Sequence, residues 1–211
     1  MVAVAEAGSN QYKNVYGLTG SIACGKTAVS NIFQKLGIPV IDLDRISREV
    51  VKPGSKGLQE IVNIFGKEFL TDSNSLDRKK LSNLIFADSN ARKKLEKILH
   101  PLIFEEEQKR VFNHKKNNPK KPLIIDAALM IESGSYKRYE KIIVVFVPEE
   151  IQLKRLIQRD KISKQEALKK IKTQMPAKEK IKFADYVIDN SRDLTYTEQQ
   201  VVKITEEIRC C

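Results

Sequence analysis

The stretch Gly20-Ser21-Ile22-Ala23-Cys24-Gly25-Lys26-Thr27 decides the fold, because it fills every fixed position of the phosphate-loop pattern G-x-x-x-x-G-K-[ST]. Each fixed residue answers a demand of a bound nucleoside triphosphate. The glycines let backbone N–H groups curl round phosphate oxygens. Lys26 can reach the β- and γ-phosphates, and Thr27 can offer its hydroxyl to a magnesium ion. The pattern carries weight only between a strand and a helix, and both are predicted. Val15-Tyr16-Gly17-Leu18-Thr19 is short, apolar and β-prone, and Lys26 to Leu36 places Val29, Ile32, Phe33 and Leu36 at helical spacing. Such a helix aims its positive end at the phosphates. The expected nucleotide cradle is Gly20, Ser21, Ile22, Ala23, Cys24, Gly25, Lys26, Thr27 and Ala28, with ATP as the nucleotide and Mg2+ held by Thr27.

Working outward, five apolar segments read as buried parallel strands: Val15 to Leu18, Ile38 to Ile41, Leu123 to Ile125, Ile142 to Val147 and Tyr186 to Ile188. Strands alternating with helices predict an α/β fold, a five-stranded parallel sheet flanked by helices. Ligands of such sheets sit at the carboxyl ends of the strands. The phosphate loop, Asp42-Leu43-Asp44 and Asp126 all fall there. Asp42 and Asp44 are expected to share a face of a strand-like exit, where either accepts a proton or binds magnesium through water. Capping a helix that starts near Arg45 is the competing role for Asp44.

About 80 residues separate the second and third strands, too many for a plain crossover. Helices are predicted over Gly57 to Phe65, Asp77 to Phe86 and Ser89 to Leu99, with Ser89 as an N-cap. Pro101 is expected to break or kink the chain before a further helix through Val111. After the fourth strand, Glu149 to Asp160 is a helix carrying Arg155 and Arg159 one turn apart. The pair fits closure over a γ-phosphate and also fits a solvated helix face. Ser163-Lys164-Gln165-Glu166 is a capping box opening a helix to about Gln174. These two helices look like a mobile lid.

The 211-residue chain carries a formal net charge of +11, which invites nucleic acid as a partner. Most of its basic residues are lysines spread through the whole chain. The densest groups, Lys115-Lys116 and Lys120-Lys121, are assigned to a loop. Such a field also draws in small polyanions, and no nucleic-acid partner is expected. No apolar run is long enough to span a bilayer. Residues 1–13 are read as a loose tail rather than a signal peptide. The three cysteines, Cys24, Cys210 and Cys211, make no metal-ligand spacing and point to a reducing cytoplasm. Cys24 lies beside Lys26 and near a helix N-terminus, so a depressed pKa and a reactive thiol are one expectation. A small residue filling its place in the loop is the other. GTPase signatures (Asn-Lys-x-Asp, Asp-x-x-Gly) are absent, and the loop is not the G-x-G-x-x-G of dinucleotide folds.

Taken together, Gly17-Leu18-Thr19-Gly20, Leu36 to Asp44, and Arg48-Glu49-Val50-Val51-Lys52-Pro53-Gly54 resemble the dephospho-CoA kinase family. So do Phe65-Gly66, Leu76-Asp77-Arg78, Ile85-Phe86-Ala87-Asp88, His100-Pro101, Glu132, Gln152 to Leu156, Arg159, Gln174 and Val187-Ile188-Asp189-Asn190. The likeness runs from Tyr16 to Asn190. It implies a core of residues 14–45, 121–154 and 184–209, a CoA-binding helical insertion over 46–120 and a lid over 155–183. It implies transfer of the ATP γ-phosphoryl to the ribose 3′-hydroxyl of dephospho-CoA by a cytoplasmic monomer that needs no membrane. Asp44 becomes the general base and Arg155 the lid arginine beside Lys26, with Arg159 on the nucleotide. Asp42, Arg78, His100, Asp126 and Glu132 become acceptor-side residues. The loop departs from the family's usual Gly-Gly-x-Gly-Ser-Gly-Lys-Ser at Ser21, Ala23 and Cys24. Should Ala23 take a left-handed conformation, it would cost roughly 1 kcal/mol. A kinase for another nucleoside or nucleotide, or a nucleotide-binding module without catalysis, are the alternatives.

Overall fold

The computed structural model describes residues 11–210; most of the expected tail and Cys211 lie outside them. Strand β1 (Val15–Gly20) is buried along its whole length and feeds the phosphate loop into α1 (Lys26–Lys35). The chain then makes β2 (Val40–Asp42), α2 (Leu43–Glu49), α3 (Lys56–Phe65), α4 (Arg78–Ala87) and α5 (Ser89–Asn117). It continues through β3 (Leu123–Asp126), β4 (Lys141–Phe146), α6 (Glu149–Asp160), α7 (Lys164–Ile171), α8 (Ala177–Ile181), β5 (Tyr186–Asp189) and α9 (Leu194–Arg209). All five expected strands are present. They form one parallel sheet in the order β2-β3-β1-β4-β5. Parallel strands need crossovers that cover both faces, which is why their apolar runs are continuous rather than alternating.

The described residues form two compact units: 11–42 with 111–210, and 43–110. In the first, Tyr16 and Leu18 of β1, Ile124 of β3, Ile143 and Val145 of β4 and Ile188 of β5 pack with Val29, Ile32 and Phe33 of α1. Val201, Ile204 and Ile208 of α9 close the same cluster. The second has its own core of Val51, Ile61, Phe69, Leu81, Leu95 and Ile98. Each fully buried side chain of this kind contributes about 1.5–3 kcal/mol. The helical insertion expected over 46–120 corresponds to the second unit, which begins three residues earlier and ends ten earlier. The segment 155–183 does not separate as a unit of its own.

Several local expectations are corrected. Pro101 does not end a helix: α5 runs unbroken through it for 29 residues. A proline removes one N–H bond, but Leu95, Ile98, Leu99 and Leu102 pack into one core on both sides of it, which holds the helix together. Ser89 is not the cap of α5. Asp88 is, its carboxylate accepting from the Asn90 and Ala91 amides at 2.7 and 3.2 Å. Lys115-Lys116 belong to the last turn of α5, where cations oppose the helix dipole, rather than to a loop. The capping box at Ser163 and Glu166 is formed, but its helix stops at Ile171 instead of Gln174. A short helix, α8, follows Pro176. Finally, β2 stops at Asp42 and α2 starts at once, so Asp42 ends a strand while Asp44 lies in the first turn of a helix. Strand alternation therefore does not relate the two carboxylates, and Asp44 is not a cap.

Candidate active site

The phosphate loop is built on two left-handed residues. Gly25 has φ 87°, and a Cβ there would lie 2.1 Å from the Asn190 amide nitrogen, so only glycine fits. Ala23 has φ 59°. A β-carbon in that conformation costs roughly 1–2 kcal/mol, part of which the lower unfolded-state entropy of alanine offsets. Ala23→Gly is therefore expected to raise the melting temperature by about 1–3 °C. Thermal unfolding of the two proteins checks this, and a lower Tm in the variant would refute the strain.

The loop's amides divide into two groups. The Ile22 N–H donates to Gln174 Oε1 at 2.7 Å, and the Cys24 N–H donates to Ser21 O at 3.1 Å. The amides of Ala23, Gly25 and Thr27 donate to no described residue. Together with the start of α1 they make a ready anion cradle. Thr27 is exposed at its mouth, and Ala28 is the third residue of α1.

Cys24 faces the other way. It is 2% exposed and packs against Gly20, where an added Cβ would meet its Sγ at 2.5 Å. Burial pushes its pKa up, although the Lys26 backbone amide and nearby lysine charges pull the other way. The expectation of a depressed, reactive thiol is overturned, and the small-residue role stands. Alkylating agents should accordingly modify exposed Cys210 far faster than Cys24 in the folded protein. Peptide mass mapping reads the outcome, and equal labelling of the two would contradict the burial.

At the carboxyl ends of the neighbouring strands, Asp42 of β2 and Asp126 of β3 are register partners. Asp126 is 4% exposed and ion-pairs with Lys26. Its second oxygen accepts from Ser30 Oγ at 2.5 Å. Asp126, expected on the acceptor side, thus stands against the phosphate loop's own lysine and helix. The exposed Thr27 hydroxyl and these two carboxylates are hard oxygen donors of the kind that suits magnesium. Among the described residues no group of three or more acidic, histidine or cysteine side chains forms a metal cage.

Arg155 of α6 donates to Asn190 O at 2.9 Å, and its guanidinium lies 3.7 Å from where a Cβ on Gly25 would stand. It therefore sits over the loop. Arg159 does not: it is exposed and pairs with Asp160 at 2.8 Å. Arg159 and Lys170 together hold the Asp160 carboxyl well below the usual range, at about 2. Asn190 anchors the back of the loop: its Nδ2 donates to Cys24 O at 2.7 Å, and its Oδ1 accepts from Thr197 Oγ1 at 2.7 Å. Glu132, expected to face the acceptor, accepts from the Met175 amide at 3.0 Å and pairs with fully buried Lys180 at 3.0 Å. Asn190 follows the same strand-end rule that marks Asp126, so its place was readable. Gln174 and Lys180 offer no such signal. A cavity of about 680 Å³ opens beside the loop, lined by Ser21, Gln152, Leu168, Gln174, Met175 and Pro176 among others.

Asp44, Arg78 and His100 belong to the second unit, and all three are exposed. Arg78 opens α4 behind the Asp77 cap and donates to Arg48 O at 3.2 Å. His100 precedes Pro101 in α5.

The model of the dephospho-CoA kinase family matches residues 14–195. The chain belongs to the dephospho-CoA kinase family. A family member from Aquifex aeolicus is 40% identical over 192 residues, covering 91% of this chain and 96% of its own. One from Listeria innocua is 42% identical over 193 residues, with 90% and 94% covered. Among solved structures, TT1252 from Thermus thermophilus superposes with a TM-score of 0.76 at 28% identity, covering 92% of this chain and 96% of that one. The Campylobacter jejuni dephospho-CoA kinase gives 0.64 at 31% identity, with 92% and 97% covered. The five-stranded sheet and its phosphate loop are thus the family's kinase core.

Proposed function

We propose that this chain transfers the γ-phosphoryl group of ATP to the ribose 3′-hydroxyl of dephospho-CoA, giving CoA and ADP, the last step of CoA synthesis. The observation that carries the reading is the family match over residues 14–195 on a chain with an intact phosphate cradle. In the reaction the 3′-oxygen bonds to the γ-phosphorus, the bond from that phosphorus to the β-phosphate oxygen breaks, and ADP leaves. Asp44 takes the hydroxyl proton. It follows Asp42, the last residue of β2, by two positions in the sequence.

The Ala23, Gly25 and Thr27 amides hold phosphate oxygens, and Lys26 turns from Asp126 to the β- and γ-phosphates as they arrive. Arg155 meets the charge that spreads over the moving group, where fixed cations act most strongly. Arg159 joins the nucleotide only by giving up Asp160. Thr27, with Asp42 and Asp126, would hold a magnesium ion, which neutralises phosphate charge when bound. Arg78 and His100 meet the acceptor. The net charge of +11 draws both polyanionic substrates toward the protein. A monomer working in the cytoplasm completes the reading.

A coupled assay of ADP release with dephospho-CoA, AMP and adenosine as acceptors tests this. Turnover is expected with dephospho-CoA in the presence of magnesium, with a 3′-phosphorylated product by mass spectrometry. Preferential turnover of AMP or adenosine, or ATP binding with no product from any acceptor, would overturn it.

A further inference from the structure

Outside the anion cradle, the first half of the phosphate loop is held by a segment far along the chain. Gln174 accepts from the Ile22 N–H at 2.7 Å, and Ser21 Oγ donates to Met175 O at 3.3 Å. That segment is itself pinned. The Met175 N–H donates to Glu132 Oε1 at 3.0 Å, and the same carboxylate oxygen pairs with Lys180 at 3.0 Å. Lys180 is 0% exposed and donates to Ala128 O at 2.7 Å. Thr19, just before the loop, donates to the same carbonyl at 3.2 Å. The result is a closed circuit from β1 through Ala128, Lys180, Glu132 and Met175 back to Ser21 and Ile22.

A buried ammonium is expensive unless paired and hydrogen-bonded, and this one is spent on placing two residues between α7 and α8. The position it fixes is the one from which the Gln174 carbonyl reaches Ile22. The neighbouring Ala23 occupies a left-handed conformation that relaxes readily once its surroundings loosen. Asn190 holds only the Cys24 side of the loop.

We propose that Gln174 is a positioning residue of phosphoryl transfer: its side-chain carbonyl fixes the Ile22 amide, and Glu132 with Lys180 holds the Gln174–Met175 segment in place to do so. This rests on the kinase reading above. Gln174 touches no reacting atom. It acts through the loop, keeping the Ala23 amide and Lys26 aimed at the phosphates. It also ties the loop to the segment between α7 and α8.

Gln174→Met keeps the size of the side chain and removes the acceptor. Its kcat is expected to fall about 10- to 100-fold, the scale of a small misplacement, with KM for dephospho-CoA within about threefold of the parent. Its Tm should stay within about 3 °C, since one neutral hydrogen bond is lost. Amide hydrogen exchange at Ile22 should speed up, while that at buried β4 residues stays unchanged. Gln174→Glu, which keeps an oxygen at the same reach, should restore Ile22 protection whatever its charge does to phosphate binding.

A kcat within about twofold of the parent in Gln174→Met would overturn the proposal. So would unchanged exchange at Ile22, or a loss of kcat that tracks a general fall in Tm and a rise in both KM values. A parent chain that ignores dephospho-CoA but phosphorylates another acceptor would refute the substrate reading alone, and the Gln174 comparison would then be read with that acceptor.

Discussion

Asp44→Asn is expected to lower kcat about 10²–10⁴-fold, the range for losing a general base, while ATP binds within about twofold of the parent affinity. Asparagine matches aspartate in size and hydrogen-bonding reach but cannot take the 3′-hydroxyl proton. The fold should tolerate it. Asp44 is exposed in the first turn of α2, so its side chain is not part of either hydrophobic core. Losing one negative charge near a helix N-terminus costs about 0.3–1 kcal/mol, too little to unfold the protein. Steady-state kinetics, a direct measure of ATP binding and a melting curve on the same sample separate these effects. Asp42→Asn is the comparison that decides the assignment. Should Asp42→Asn carry the large loss and Asp44→Asn remain near normal, the base is Asp42, at the end of β2.

The five strands were legible because each is a short apolar run; the three central ones, β1, β3 and β4, are buried, while the edge strands β2 and β5 are only partly covered. The loop was legible because its backbone demands particular residues; even the left-handed turn at Ala23 could be foreseen from the residue it replaces. What escaped depends on contacts distant in sequence. Lys26 and Asp126 are 100 positions apart, so nothing local says that the two meet. Cys24 has the neighbours of a reactive thiol, yet its side chain turns under β1 onto Gly20, and burial decides its protonation. At Pro101 the local rule was sound, and the packing of Leu95, Ile98, Leu99 and Leu102 outweighed it. Asp42 and Asp44 fail as a strand pair because the helix begins one residue after the strand ends.

Lys26→Met should remove activity for one reason and stability for another, and the two can be pulled apart. Taking a fixed cation from the moving phosphoryl group costs about 10²–10³-fold in kcat, the scale of one well-placed electrostatic contact. The same ammonium also pairs with Asp126, with side chains 14% and 6% exposed. Without it the Asp126 carboxylate keeps the Ser30 hydroxyl at 2.5 Å but loses its counter-charge. Breaking a buried pair from one side costs about 3–5 kcal/mol. For a chain of this size that corresponds to a fall in Tm of roughly 6–20 °C. Adding Asp126→Asn removes the stranded charge while leaving an oxygen for Ser30. The double variant should recover most of the lost Tm and none of the lost kcat. If it recovers both, Lys26 serves to neutralise Asp126, and the charge facing the phosphates must come from Arg155.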